Sequence, residues 1–256
     1  MVSSFFIRRI VMNKYIFPLF IFLVFIMRPA DAGFTGSLQG GAVFTSYNDV
    51  ALPGDDGTRF SYSDDLDAVY GFSPRVEAGY EFGFPLYAGV MASLLRLDGD
   101  GKLDKDVKFG DKVFNESDNV KGTYRFDSYR ATLRWYFING ASFKIGGGLT
   151  GKIRDAEITL EDNGEKESFS NTGVVPLLNF YAEWIASPAF SLLFYGDGTW
   201  SPYGRAEDFF AGAVYRFHKN YALMAGYRIL EGGADNDRVY TFSMFHYAVA
   251  GLQFSF

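Results

Sequence analysis

The stretch "TYRFDSYRATLRWYF", residues 123–137, decides the fold. From Tyr129 the odd positions read Tyr129, Ala131, Leu133, Trp135, Phe137, and the even ones Arg130, Thr132, Arg134, Tyr136. Successive side chains of a strand point to opposite faces, so this is a two-faced strand. One face is apolar and ends in aromatics; the other carries guanidinium groups. A soluble sandwich and a membrane barrel both accept such a strand, and the arrangement of its neighbours separates them.

The pattern recurs along the chain. "FTGSLQGGAVFTSY" (34–47), "RVEAGYEF" (75–82), "LYAGVMASLLRL" (86–97), "SFKIGGGLTGKIRDAEITL" (142–160) and "VVPLLNFYAEWIA" (174–186) follow it. So do "FSLLFYGDGTW" (190–200), "FFAGAVYRF" (209–217), "YALMAGYRIL" (221–230) and residues 240–256, giving ten strands in all. Four connectors are short: "GFP" (83–85), "NGA" (139–141), "SPA" (187–189) and "HKN" (218–220). Five are longer or more polar: 48–73, 98–122, 161–173, 201–208 and 231–239. Short and long alternate strictly, the wiring of an up-and-down transmembrane barrel with tight turns at one rim. Aromatics gather where strands meet the short turns, at Tyr80, Phe82, Trp135, Phe137, Phe143, Trp184, Phe190, Phe217 and Tyr221, as in an interfacial girdle. The expectation is an all-β, closed antiparallel up-and-down barrel of ten strands, with eight as the alternative.

The rest of the sequence agrees. Lys14 precedes an apolar run from Tyr15 to Met27, and "ADA" at 30–32 supplies an A-x-A cleavage site, so residues 1–32 read as a cleaved secretory signal peptide and 33–256 as one barrel domain. Of 24 basic and 30 acidic residues, Arg8, Arg9, Lys14, Arg28 and Asp31 lie in that signal; 20 and 29 remain, and the net charge moves from −6 to −9. That acidity argues against nucleic acid. There is no cysteine, hence no disulfide framework, thiol nucleophile or thiolate metal site. Aromatics are 19% of residues, yet after residue 32 no apolar run approaches the ~18 residues of a spanning helix.

The last strand, "YAVAGLQFSF" (247–256), keeps its alternation through Phe256. With the signal peptide and the strand wiring, it resembles small bacterial outer-membrane β-barrel proteins of the OmpA/OmpX/OmpW-like kind. The spacing of Gly251, Phe254 and Phe256 is similar to the signal those proteins present to the barrel-assembly machinery. The resemblance implies an outer-membrane location, contact with outer-membrane lipid and lipopolysaccharide, and a monomer. It also implies that strand 240–256 closes on strand 34–47, with Phe254 and Phe256 in the periplasmic girdle and Gln253 and Ser255 inward.

With the apolar faces on lipid, a lumen charge network follows: Glu77, Glu81, Arg96, Arg130, Arg134, Lys144, Lys152, Arg154, Glu183, Asp197, Arg216 and Arg228. Ten strands stand near the size at which side chains fill a barrel. Crowded buried charges are held as paired networks, since an unpaired one is very costly. The expected role is structural or surface interaction with a largely plugged lumen; the alternatives are a narrow anion-leaning pore and, third, a lipid A-modifying enzyme. No cofactor or metal is expected. "DGDGKLDKDVKFGDK" (98–112) starts like a calcium loop with Asp98, Asp100 and Asp104, then departs at Lys102, Leu103 and Phe109. The histidines suggest no catalytic pair: His218 falls in a predicted turn, and His246 shares the lipid-facing phase, opposite to Ser243. The Asp-x-His motif of omptin-like proteases is absent, so no enzyme is expected.

Overall fold

The computed structural model describes residues 33–256 apart from 84, 117, 163, 164 and 203; the predicted signal peptide lies outside the described residues. Its strand segments are β1 (Gly33–Ala51), β2 (Phe60–Ser61), β3 (Tyr70–Glu81), β4 (Leu86–Ser93), β5 (Arg96–Lys102), β6 (Val107–Phe109) and β7 (Lys112–Phe114). They continue with β8 (Asn119–Asn139), β9 (Phe143–Asp162), β10 (Glu165–Ser187), β11 (Phe190–Ser201), β12 (Gly204–His218), β13 (Tyr221–Asn236) and β14 (Val239–Ser255). β4 and β5 together form one stave. With β1, β3 and β8 to β14 they make ten staves, each antiparallel to its neighbour. β14 returns to β1 in register from Thr35↔Ser255 to Ala51↔Tyr240, so the ladder closes. Closure removes the open edge that lipid could not satisfy.

The exterior shows what surrounds the barrel. Leu38, Leu133, Leu149, Leu178 and Leu223 are each more than half exposed. A band of outward leucines of this size is at home against hydrocarbon rather than water. Trp135, Phe137, Phe143, Trp184 and Phe217 ring the rim of short turns, which also holds Gly33 and Phe256. Phe44 edge-on to Tyr70, at 5.7 Å between centroids, and Tyr227 stacked on His246 mark the other rim of the band.

Three connectors expected to be loops are instead strand. β9 and β10 pair without interruption from Phe143↔Trp184 to Asp162↔Glu165, and β11–β12 run to Ser201↔Gly204. β12–β13 and β13–β14 likewise continue to Gly204↔Ala234 and Asn236↔Val239. Above the apolar band the outer face meets water rather than lipid and much of the inner face of β10 to β13 is polar, so the alternation fades there while the backbone ladder goes on. β9 and β10 have 20 and 23 residues, where about ten cross the bilayer. The remainder lifts an outer barrel roughly 25 Å beyond the lipid.

The segment between β1 and β3 folds inward rather than standing as a solvated loop. Tyr62, Leu66 and Ala68 are fully buried, and Tyr62 Oη donates to the carbonyl of Thr159 at 2.8 Å. Glycines on the facing wall make the space. A Cβ at Gly101 would stand 2.0 Å from the Asp65 carbonyl oxygen, and one at Gly99 2.1 Å from that of Leu66. The glycines of "DGDGK" thus bare the inner face of β5 for this segment, and the calcium-loop reading gives way to a strand. Around it Val50, Phe60, Leu97, Phe109, Val120 and Leu160 form an apolar core within the outer barrel.

Candidate functional site

Below that core the lumen is crossed by a floor of charge. Asp208 is its centre: Arg75 Nη1 donates to it at 3.0 Å, Arg130 Nη2 at 2.6 Å and Arg228 Nη1 at 2.7 Å. Arg130 Nη1 also reaches Asp197 at 2.7 Å, whose other oxygen accepts from Thr150 Oγ1 at 2.6 Å and Asn179 Nδ2 at 2.8 Å. Arg75 Nε bonds Glu77 at 2.6 Å, and Arg228 Nη2 bonds Tyr195 Oη at 2.9 Å and Gln39 Oε1 at 3.0 Å. These side chains come from β1, β3, β8, β9, β10, β11, β12 and β13, so the floor spans the bore. Arg75, Arg130, Arg228, Asp197 and Asp208 are all buried. A pocket of about 20 Å³ lies beside Arg75, Arg130, Arg228 and Asp208.

Two chambers flank the floor. The one toward the short turns has a volume of about 310 Å³. In it Lys144 pairs with Glu81 at 2.5 Å, and Glu183 accepts from Ser191 at 2.7 Å, Tyr181 at 2.8 Å and Arg216. Arg134 lies between the rings of Tyr87 and Tyr181 and donates to Asn179 Oδ1 at 2.7 Å. The outer chamber, about 430 Å³, runs from the turn residues Asn236 and Arg238 down to Lys152 and Arg154.

Of the twelve charges expected in the lumen, eleven point inward; Arg96 does not. It lies outside with its side chain 64% exposed, paired to Asp98 at 2.8 Å. Leu95 and Leu97 take the inward positions instead, both nearly fully buried. The stretch 86–97 is apolar on both faces, so its sequence carries no phase. The reading missed Arg75 and Asp208 as members of the floor. Arg75 stood on the correct face of its strand, whereas Asp208 fell within the span read as loop 201–208. Gln39, Asn179 and Tyr195 are neutral and gave no charge signal.

Outside, beyond the lipid band, charges pair on the barrel surface. Arg125 holds Asp127 at 2.8 Å, Asp155 at 2.9 Å and Glu157 at 3.2 Å. Hydrogen bonds from the Arg96 guanidinium hold the Asp98 carboxyl below its ordinary range. His246 and Ser243 take opposite faces, as their phase predicted: His246 meets Ser46 Oγ at 2.6 Å and Tyr227 outside, while Ser243 bonds Asn48 and Tyr124 inside. His218 is exposed at the short-turn rim, where Nδ1 accepts from the Asn220 amide. On the closing strand the Phe254 ring covers Gly36, Phe256 packs edge-on to Tyr221 at 5.9 Å, and a Cβ on Gly251 would meet the Leu38 carbonyl oxygen at 2.6 Å.

No protein-family model matches the chain, and no curated protein matches it. Among solved structures it is similar to the outer-membrane protease OmpT of Escherichia coli, with a TM-score of 0.53 and 7% identity over 90% of this chain and 99% of that one. It is also similar to Ail, the attachment invasion locus protein of Yersinia pestis, at 0.37 and 17% over 87% and 99%. An outer-membrane channel of Pseudomonas putida F1 gives 0.43 and 12% over 90% and 97%. At these identities the likeness is one of fold, and a protease has that fold too, so fold by itself does not decide for or against catalysis. The closed ten-stave ladder, the lipid-facing band and the likeness to OmpT agree: the chain has the closed antiparallel barrel fold of bacterial outer-membrane proteins.

Proposed function

We propose that this barrel is a sealed outer-membrane anchor that holds an extended outer barrel and its acidic segments at the cell surface, in a structural or surface-interaction role. The observation that carries the reading is the floor. Three buried arginines and two buried aspartates are bonded to one another across the bore, and the pocket beside Arg75, Arg130, Arg228 and Asp208 is about 20 Å³, room for about one water. An ion would have to break charge-assisted bonds worth about 1.5–3 kcal/mol each to pass. The paired acids outside, Asp127, Asp155 and Glu157, offer anionic lipopolysaccharide a surface it meets through bridging divalent cations.

Single-channel recording of refolded protein in planar bilayers tests the proposal. Silence is expected, with conductance emerging in Asp208→Ala. Steady anion-selective openings of the unaltered protein would refute the sealed reading in favour of a narrow pore.

A further inference from the structure

The outer chamber holds a cation that the floor does not neutralise. Lys152 is 3% exposed. Among the described residues its ammonium makes no salt bridge and no side-chain hydrogen bond, and the Phe126 ring lies 4.8 Å from Nζ. Two positions further out on β9, Arg154 spends one amino group on Asn171, and its buried Nε has no partner. Floor and chamber base together hold Arg75, Arg130, Arg228, Lys152 and Arg154 against Glu77, Asp197 and Asp208, five cations to three carboxylates. Desolvated positive charge without a counter-charge is costly, and here it faces a cavity rather than packed protein.

The walls above those cations are of another kind. Register places Phe126 and Tyr124 of β8 and Ile158 of β9 outward of the Lys152 level, with Phe169 of β10 opposite Ile158. All four line the same chamber, and Leu230 and Phe245 face it from β13 and β14. About 430 Å³ lies within the ordinary range of small-ligand sites, about 300–1,000 Å³, which are mostly apolar with a few convergent polar groups.

We propose that the outer chamber binds a water-borne amphipathic anion: a carboxylate on a compact aromatic body, seated with its charge beside Lys152 and the Arg154 guanidinium and its rings among Phe126, Tyr124, Ile158 and Phe169. The anion supplies the missing counter-charge, and the sealed floor makes the chamber a binding site that ends at the floor. The proposal does not depend on the surface-anchor reading, since a conducting barrel could hold the same site.

Calorimetric titration of the barrel in zwitterionic nanodiscs tests it, with 2-naphthoate as probe and 2-naphthamide as the neutral isostere; empty nanodiscs give the lipid-partition blank. Saturable 1:1 binding of naphthoate above the blank is expected, at least tenfold tighter than the amide. Lys152→Met should weaken it at least tenfold, and Phe169→Ala several-fold. Equal binding of the two probes, no saturable binding, or naphthoate binding unchanged in Lys152→Met would overturn the proposal. So would a site that takes inorganic sulfate as tightly as naphthoate, because the apolar walls would then contribute nothing. Should Lys152→Met fail to fold, the two probes compared on the unaltered protein still decide it.

Discussion

Replacing Asp208 with asparagine keeps the size of the side chain and removes its charge. In the native barrel one carboxylate oxygen accepts from Arg75 and Arg130, the other from Arg228. An asparagine offers one acceptor oxygen and one NH₂. If its oxygen faces Arg75 and Arg130, the NH₂ faces Arg228, donor to donor. Arg75 retains Glu77, and Arg130 retains Asp197. Arg228 then has only the neutral partners Gln39 and Tyr195. The bond to Arg228 is lost and the two to Arg75 and Arg130 are weakened, a charge-assisted bond being worth about 1.5–3 kcal/mol; breaking a buried pair from one side costs about 3–5 kcal/mol. The expected loss is therefore about 4 kcal/mol. Reversible urea unfolding in phospholipid vesicles measures it, and there the unfolded chain hydrates all three guanidiniums fully. Arg228→Met in the Asp208→Asn background should recover part of the loss, because Arg228 is the cation left without a carboxylate. A loss under about 1 kcal/mol, or simple additivity of the two changes, would mean that the floor is wet and the sealing argument fails.

Three further outcomes follow from the same structure. Leu149→Arg, at a position 65% exposed in the lipid band, should cost about 2–4 kcal/mol in the vesicle assay, whereas Val113→Arg on the outer hairpin β6–β7 should be nearly neutral; equal effects would remove the lipid band from that face. Gly101→Ala places a methyl group 2.0 Å from the Asp65 carbonyl oxygen. It should lever out the inward segment, cost about 1–3 kcal/mol and raise proteolytic nicking between residues 52 and 69; unchanged protease resistance would contradict the packing described. Asp98 is held below its ordinary range, so its pairing stabilises the fold above the unfolded carboxyl range and fades as pH falls through the folded value. Arg96→Ala should therefore cost under about 1 kcal/mol at pH 6 and less at pH 2, with salt shrinking the difference; an effect larger at pH 2 would reverse the assigned sign.

The lipid band was readable because hydrocarbon and lumen impose opposite demands on alternate residues. Tyr129 to Phe137 shows that contrast at every position, and its face and level were evident. Where the contrast lapses, so does the reading. Residues 86–97 are apolar on both faces, so Arg96 was set inward when Leu95 and Leu97 hold the inward places. Beyond the lipid the outer face is polar too and the inner face of β10 to β13 is largely so, so their upper parts resembled loops, and Asp208 went unnoticed beside Glu207, which faces outward. The inward fold of residues 52–69 left no periodic trace at all; its signal was the glycines Gly99, Gly101 and Gly122, which make sense only once the segment they accommodate is seen.

The sequence by itself pointed to a barrel of ten staves over eight, to the lipid-facing face of most of its strands and to many of its lumen charges, though not to Asp208, because strand alternation is local and one solvent repeats along the chain. The tertiary structure alone decided which charges meet. Asp208 joins Arg75, 133 positions away, and Arg130, 78 away; those separations follow from barrel closure and stave register, which no local pattern encodes. It also decided that Lys152, one lumen cation among many in the sequence, stands without a salt bridge among the described residues at the base of an open chamber.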